Sequence, residues 1–139
     1  MKFGAKICVQ LGVTEMNNVW IILTMIFFHI VDDYRLQGIL ASMKQKKWWK
    51  QQEQYNDKYK YDYIVALLMH SFSWTFMIML PIAFYYGFRL SVPFIVIFVL
   101  NVAIHCIVDD LKANKLKINL VLDQTIHIIQ IIITAIVLL

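Results

Sequence analysis

The sequence predicts an all-α protein, namely an integral membrane bundle of four antiparallel helices. Hydrophobic residues make up 60% of the 139 residues and the mean hydropathy is +0.64. A soluble domain usually contains only about 45–50% apolar residues. Several apolar segments also reach the ~20 residues that a helix needs to cross the hydrocarbon core of a membrane. The chain lacks the sustained alternation of polar and apolar residues that would indicate strands.

Four helices are predicted in order along the chain, and together they define a transmembrane domain over residues 16–139. The first has a short apolar centre and reaches the required length only when it is extended on both sides. The second, third and fourth contain apolar runs that are long enough on their own. Residues 1–15 are predicted to be a peripheral N-terminal extension, because Gln10 and Gly12 interrupt their apolar stretch. The predicted helices cover about 17–41, 63–87, 90–111 and 117–139.

The basic connection over 44–62 is predicted to be an amphipathic segment at the membrane surface. It interleaves lysines with tryptophans and tyrosines, a composition typical of segments beside anionic headgroups. We therefore expect residues 44–60 to contact the lipid bilayer, and we expect no nucleic-acid partner. The connection between helices three and four is also rich in lysine. The positive-inside rule then places both connections in the cytoplasm and predicts a multi-pass protein of the inner (cytoplasmic) cell membrane.

Polar residues recur along one face of the first, third and fourth predicted helices, at spacings of three or four residues. The second helix contributes one such residue, His70, close to the basic connection. An antiparallel arrangement brings all of these residues to the cytoplasmic end of the bundle. Asp32 and Asp110 lie beside these faces and are expected to point toward the headgroups. The three longer sets are His29, Asp33 and Gln37 on the first helix, His105, Asp109 and Lys112 on the third, and Asp123 and His127 with the adjacent Gln124 on the fourth.

Imidazole and carboxylate groups in this pattern predict a metal site. Buried charges in membrane helices usually face the bundle interior and pair, and helical bundles build metal centres from inward-facing carboxylates and histidines. One or two divalent ions are expected, either Zn, Mn, Fe or Mg. The predicted metal ligands are His29, Asp33, His70, His105, Asp109, Asp123 and His127.

Three further roles are predicted beside the ligands. Asp109 or Asp123 would be the general base for a bound water, and Lys112 would offset the charge of a phosphate. Gln37 and Gln124 would orient the substrate or the carboxylates. Without a metal, the same groups would form a proton relay or hydrogen bonds between helices.

Four motifs taken together resemble a known family. They are HIVDDYRLQ at 29–37, His70 within LLMHSF, HCIVDDLK at 105–112 and DQTIH at 123–127. In this order they resemble the bacterial and phage four-helix membrane proteins that share domain of unknown function 3307. The arrangement is also similar to inner-membrane proteins described as metal-dependent hydrolases. The resemblance implies the four-helix membrane fold and a site at these residues, without a transferable activity.

The leading hypothesis is a metal-dependent hydrolase that acts at the cytoplasmic membrane face on a lipid or a phosphate ester. One alternative is an ion or proton channel, or a small transporter, that uses the buried His and Asp residues. Another is a non-catalytic interaction protein, such as a phage protein that binds a host membrane complex. A homo-oligomer or a membrane protein partner is compatible with each of these hypotheses.

Overall fold

The computed structural model describes residues 2–52 and 57–139, and the side chains of 17–52 and 57–139. Every regular element in this part of the chain is helical, and it contains no strand, which confirms the all-α prediction. Two short turns accompany the helices, a π-helical turn over Asp32–Leu36 and a 3₁₀ turn over Asp57–Tyr59. The helices are α1 (Lys2–Val31), α2 (Leu40–Met43), α3 (Lys46–Lys50), α4 (Asp62–Tyr85), α5 (Val92–Ala113) and α6 (Leu120–Leu138).

Capping residues determine where α5 and α6 begin. The Ser91 hydroxyl accepts a hydrogen bond from the Phe94 amide, and Pro93 lies in the first turn, where its missing N–H costs nothing. The Asn119 side chain accepts from the Leu122 amide in the same way at the start of α6. Both helices therefore begin two or three residues after the start that hydropathy predicts.

The segment predicted as one helix over 17–41 is divided into several pieces. α1 ends at Val31 and is followed by the π-helical turn, in which the Gln37 amide donates to the Asp32 carbonyl at 3.0 Å. Gly38 then adopts a positive φ of 49°, a conformation that glycine reaches without steric cost. The chain turns there into α2. Hydropathy alone does not predict this break, because the apolar pattern continues through Ile39 and Leu40.

The backbone of α1 is helical from Lys2 and continuous with the part that follows residue 16. The side chains of residues 1–16 lie outside the described residues. The expectation that 1–15 form a peripheral extension therefore stays a prediction.

The four long helices contact one another in a ring. α4 packs against α1 and α5, and α6 packs against the same two helices. Among the described residues, three segments are long and apolar enough to cross a membrane: Asp57–Tyr85, α5 and α6. At one end of the bundle, the interior is filled by apolar side chains: Ile21, Met25, Ile78, Ile82, Ile131 and Ala135. The other end contains the polar cluster described next.

Candidate metal centre in the bundle interior

All four histidines of the chain are buried together at one end of the bundle, each with at most 1% of its surface exposed. They come from α1, α4, α5 and α6. The rings of His105 and His127 stack with centroids 4.1 Å apart, and His70 lies 5.0 Å from His105 on the other side. His29 lies 5.8 Å from His127. One turn along each of α1, α5 and α6 brings a carboxylate into the same cluster.

Among the described residues, two groups of side chains are placed to hold a cation, and both include His105. One consists of Asp33, His70 and His105, and the other of His105, Asp109 and His127. Within each group, one ligand atom per residue lies within 4.8 Å of the others. Buried His and Asp groups that could hold a metal ion, as the sequence predicts, are therefore present. Because the two groups share one imidazole, they form one continuous centre.

The distances between donor atoms agree with the size of a coordination sphere. Ligand atoms about 2.0–2.2 Å from one ion, at tetrahedral or octahedral angles, are about 2.9–3.6 Å from each other. The Nε2 atoms of His70 and His105 are 3.1 Å apart. His70 Nε2 is also 3.4 Å from Asp33 Oδ1 and 3.4 Å from Asp109 Oδ2. His70 Nε2 thus lies near one imidazole and two carboxylates at separations typical of ligand atoms around one ion, although Asp33 and Asp109 belong to different groups.

Two facing atoms at the α6 side of the cluster lack a hydrogen-bond partner among the described residues. These are His127 Nε2 and Asp123 Oδ1, which lie 3.5 Å apart and are both buried. His105 Nδ1 is also buried and unpaired within the same part of the chain. Buried polar atoms are nearly always paired, and leaving one unpaired costs about 1–3 kcal/mol. These unpaired atoms indicate a ligand in the cluster.

A chain of hydrogen bonds fixes the orientation of His127. The Asn101 amide donates to Thr134 Oγ1 at 2.7 Å, which leaves Asn101 Oδ1 to accept from Gln130 Nε2 at 3.2 Å. Gln130 Oε1 therefore faces His127 Nδ1, which donates to it at 3.2 Å. Nε2 of His127 then faces Asp109 and Asp123, at 3.7 and 3.5 Å, and a hydrogen bond on the opposite ring nitrogen is the arrangement that orients metal-binding histidines.

His70 has a similar support on its other side. Its Nδ1 lies 3.6 Å from Asp32 Oδ2, and the second oxygen of Asp32 accepts a hydrogen bond from Ser73 at 2.7 Å. The expectation that Asp32 faces the headgroups is wrong, since only 1% of this residue is exposed. Asp32 is three residues after His29 and so shares its inward face, and the π-helical turn begins at this residue. Gln37, from the end of the same turn, donates to His70 Nε2 at 2.8 Å, so an ion bound by this nitrogen would have to displace the Gln37 amide.

Both ring nitrogens of His29 already have partners. Trp74 Nε1 donates to His29 Nδ1 at 2.7 Å, and His29 Nε2 donates to Gln124 Oε1 at 3.1 Å. Among the described residues, His29 accordingly belongs to neither cation-holding group, although the sequence predicts it as a ligand. Asp123 also lies outside both groups and borders His127. Gln124 Nε2 donates to Asp33 Oδ2 and Asp123 Oδ2, both at 3.0 Å.

Trp74 lies between the polar cluster and the apolar side chains of the bundle. It is fully buried and stacks on His105 with ring centroids 4.2 Å apart and planes inclined by 21°. The indole separates the polar cluster from the apolar end of the bundle. Sequence reasoning missed this residue, although Trp74 lies one helical turn after His70 and so shares its face.

Two lysines supply counter-charges to the cluster. Lys44 donates to Asp109 Oδ2 at 2.5 Å, and Lys112 donates to Asp123 Oδ2 at 2.6 Å. Lys44 is therefore buried in the cluster, whereas the sequence places it among the headgroup contacts of 44–60. Four clustered carboxylates (Asp32, Asp33, Asp109 and Asp123) face these two ammonium groups. With neutral imidazoles the cluster carries a formal charge of −2.

Asn114 holds Lys44 in place. Its amide nitrogen donates to the Lys44 carbonyl at 3.0 Å, and its side-chain oxygen accepts from the Lys46 amide at 2.7 Å. The surface segment is thereby attached to the C-terminal end of α5. Asp110 accepts from Asn114 at 2.9 Å and pairs with Lys115 at 3.0 Å, so it takes part in this junction.

Comparisons with protein-family models, with curated proteins and with solved structures found no match to this chain. The fold and the cluster define a class only: a helical protein with three membrane-length apolar segments and a buried His/Asp centre.

Proposed function

We propose that the chain is an integral membrane protein whose four long helices form an antiparallel bundle. The outward side chains of α4, α5 and α6 support this proposal, because they are large, apolar and exposed along the helices, as at Phe72, Val99 and Ile136. Such a surface is stable in lipid and unfavourable in water. The lysine-rich connections lie at the end that contains the cluster, so the positive-inside rule favours a site near the cytoplasmic face. The family resemblance of the four motifs agrees with this proposal.

The second part of the proposal is that the cluster binds one divalent cation. The observation that carries it is the convergence of two cation-holding groups on His105, with unpaired acceptor atoms beside them. The formal charge of the cluster supports a single ion, because one divalent cation neutralises a charge of −2. Burying uncompensated charge is costly. The donor set of imidazoles and carboxylates suits Zn, Mn or Fe.

The activity that this centre supports best is hydrolysis of a lipid or phosphate ester. When bound, the ion would polarise the ester oxygen and lower the pKa of water. Asp123 Oδ1 is placed to accept a proton from water, because its other oxygen is held by Lys112 and Oδ1 is unpaired among the described residues. Lys112 is one-third exposed at its side chain and can also contact an anionic substrate group.

The structure argues against a channel or transporter that crosses the bundle. Beyond Trp74 and the Thr134 hydroxyl, the described interior side chains are mostly apolar, including Ile78, Ile82 and Ala135, and Asn18 Oδ1 is a buried polar atom there. An ion leaving the cluster in that direction would lose its ligands in an apolar region, at a cost of several kcal/mol. A centre that apolar side chains separate from the other membrane face fits an enzyme better than a conductor.

Cobalt titration tests the metal centre. Co²⁺ replaces other divalent ions at N/O sites and gives visible absorption bands on binding. We expect about one Co²⁺ per chain for the protein in nanodiscs, and a loss of at least about tenfold in affinity for His105→Gln. Asp110→Asn is the matched control, because Asp110 lies outside both groups. The proposal fails if the folded wild type binds no Co²⁺, or if His105→Gln binds it as tightly as the wild type.

Turnover tests the hydrolase. We expect the Co²⁺- or Mn²⁺-loaded protein to release product from a panel of phospholipids and p-nitrophenyl esters. Asp123→Asn should lower kcat about 100-fold or more while Co²⁺ is still bound, because the amide cannot take the proton. Asp110→Asn should retain the wild-type rate. Unchanged turnover in Asp123→Asn would remove Asp123 from the mechanism, and absence of turnover across the panel would refute the hydrolase.

A further inference from the structure

An open groove lies beside the centre, between the π-helical turn and the first half of α6. Its volume is about 490 Å³, within the usual range for ligand sites of about 300–1,000 Å³. Most of its walls are apolar, and the Val121 side chain is 74% exposed. The groove therefore opens sideways, toward the region that lipid occupies around a membrane protein. It is lined by Tyr34, Leu120, Val121, Gln124, Thr125, Ile128 and Ile129.

Gln124 joins this groove to the centre. It lines the groove, and the same side chain bonds to Asp33, Asp123 and His29. Thr125, its neighbour in the groove, bonds only to the Val121 carbonyl of its own helix. The Gln124 side chain thus lies between the groove on the outer surface of α6 and the carboxylates of Asp33 and Asp123.

The outer end of the groove lies near the level of the polar part of a lipid. α6 is 19 residues and hence about 28 Å long, close to the ~30 Å of the hydrocarbon core. Gln124 is four residues from the start of this helix, which places it about 6 Å from the helix end. The ester groups of a lipid in the same leaflet lie about one helical turn outside that level, and its phosphate lies in the headgroup layer a further ~5 Å out, beside the start of α6.

Positive charge surrounds this end of the bundle. Lys112 reaches from α5 to Asp123 and is partly exposed. A pocket of about 260 Å³ in the connection before α4 includes Lys46, Lys50 and Lys60 among its lining residues. A hydrogen bond with Tyr63 raises the pKa of Lys46, so its ammonium group stays charged. Lysines at this level attract an anionic leaflet.

From these observations we infer that the substrate is an anionic phospholipid, which reaches the centre laterally from the bilayer. One acyl chain lies in the groove between the π-helical turn and α6, and the phosphate lies beside the start of α6 and Lys112. This inference rests on the proposed hydrolase, but the groove and its occupant are tested without turnover. Gln124 is a positioning residue here, because it separates and aligns the lipid and the carboxylates.

The test is photocrosslinking in phosphatidylcholine nanodiscs that contain phosphatidylglycerol with a diazirine in its acyl chain. Mass spectrometry of the adducts should place most of them on residues 120–129 and on Tyr34. Thr125→Trp fills the groove and should lower this labelling about tenfold. Ile133→Trp is the matched control, because Ile133 is exposed on the same helix outside the groove. Val121→Trp provides a second groove-filling variant if Thr125→Trp does not fold.

A diacylglycerol probe with the same acyl chains tests recognition of the phosphate. We expect it to label residues 120–129 about tenfold less than phosphatidylglycerol does. Equal labelling by both probes, or unchanged labelling in the groove-filling variants, would overturn the inference. Co²⁺ titration of the same samples separates the two proposals. If no Co²⁺ binds, the metal centre fails, while the labelling pattern still decides whether a lipid occupies the groove.

Discussion

Gln130→Leu tests the idea that hydrogen bonds in the interior of the bundle orient the imidazoles of the candidate metal centre. Gln130 Oε1 is the acceptor for His127 Nδ1, at 3.2 Å. Leucine has a similar volume but cannot accept this hydrogen bond. The proton of His127 can then move to Nε2, the nitrogen that faces Asp109 and Asp123. A protonated Nε2 cannot bind an ion.

The size of the effect follows from the partners that are lost. Removing a hydrogen-bond partner of a metal ligand usually weakens metal binding about 10–100-fold, which equals about 1.4–2.7 kcal/mol. Gln130→Leu also removes the donor at 3.2 Å from Asn101 Oδ1. A buried acceptor left without its donor costs about 1–3 kcal/mol of folding free energy. Metal affinity and stability should therefore both decrease.

Co²⁺ titration and thermal unfolding in the same nanodisc preparation measure the two effects separately. Gln130→Glu retains an oxygen acceptor and should recover part of the Co²⁺ affinity. Gln52→Leu is the control, because Gln52 is exposed and, among the described residues, bonds to the Trp48 carbonyl of its own segment. A folded Gln130→Leu protein that binds Co²⁺ within about twofold of the wild type would refute this account of the His127 orientation.

Three further substitutions probe the supports of the centre. Lys44→Met should destabilise the metal-free protein by about 3–5 kcal/mol, because it leaves the negative charge of the buried Asp109 without its ammonium partner. Added Co²⁺ should then raise the Tm of this variant more than that of the wild type. A smaller rise would contradict the charge argument. Trp74→Phe removes the donor to His29 Nδ1 and should cost about 1–3 kcal/mol in unfolding experiments; an unchanged Tm would show that this hydrogen bond contributes nothing. Gly38→Ala should destabilise the protein by about 1 kcal/mol, because alanine is strained at a φ of 49°. No steric clash adds to this cost, because the new Cβ meets nothing closer than the Leu36 carbonyl oxygen at 3.7 Å. A stabilised variant would be inconsistent with the described turn.

Much of the candidate centre could be predicted from helical spacing. His105 and Asp109 are four residues apart on α5, as are Asp123 and His127 on α6. In a regular helix this spacing places both side chains on one face, and the cost of burying charge in lipid turns that face inward. The local sequence therefore determines the geometry in these two helices.

Other features depend on irregular backbone or on distant contacts, which the sequence does not reveal. The chain leaves regular α-helix at Asp32, and DDYRL has no recognised signature for the π-helical turn that begins there. Lys44 reaches Asp109 because Gly38 reverses the chain and Asn114 anchors it, and these residues are far apart in sequence. His29 has the spacing of a ligand, but Trp74 and Gln124 bond to its nitrogens. Such competition between partners is visible only in three dimensions.

The two lysines have a consequence for how the protein matures. Small zinc domains cannot fold until their metal arrives, because their ligands repel one another and little else holds the chain. Here, Lys44 and Lys112 already neutralise half of the negative charge, and the apolar end of the bundle packs independently of it. If the proposed function holds, the protein would insert and assemble first and acquire its ion afterwards, so that metal supply would regulate activity without regulating abundance.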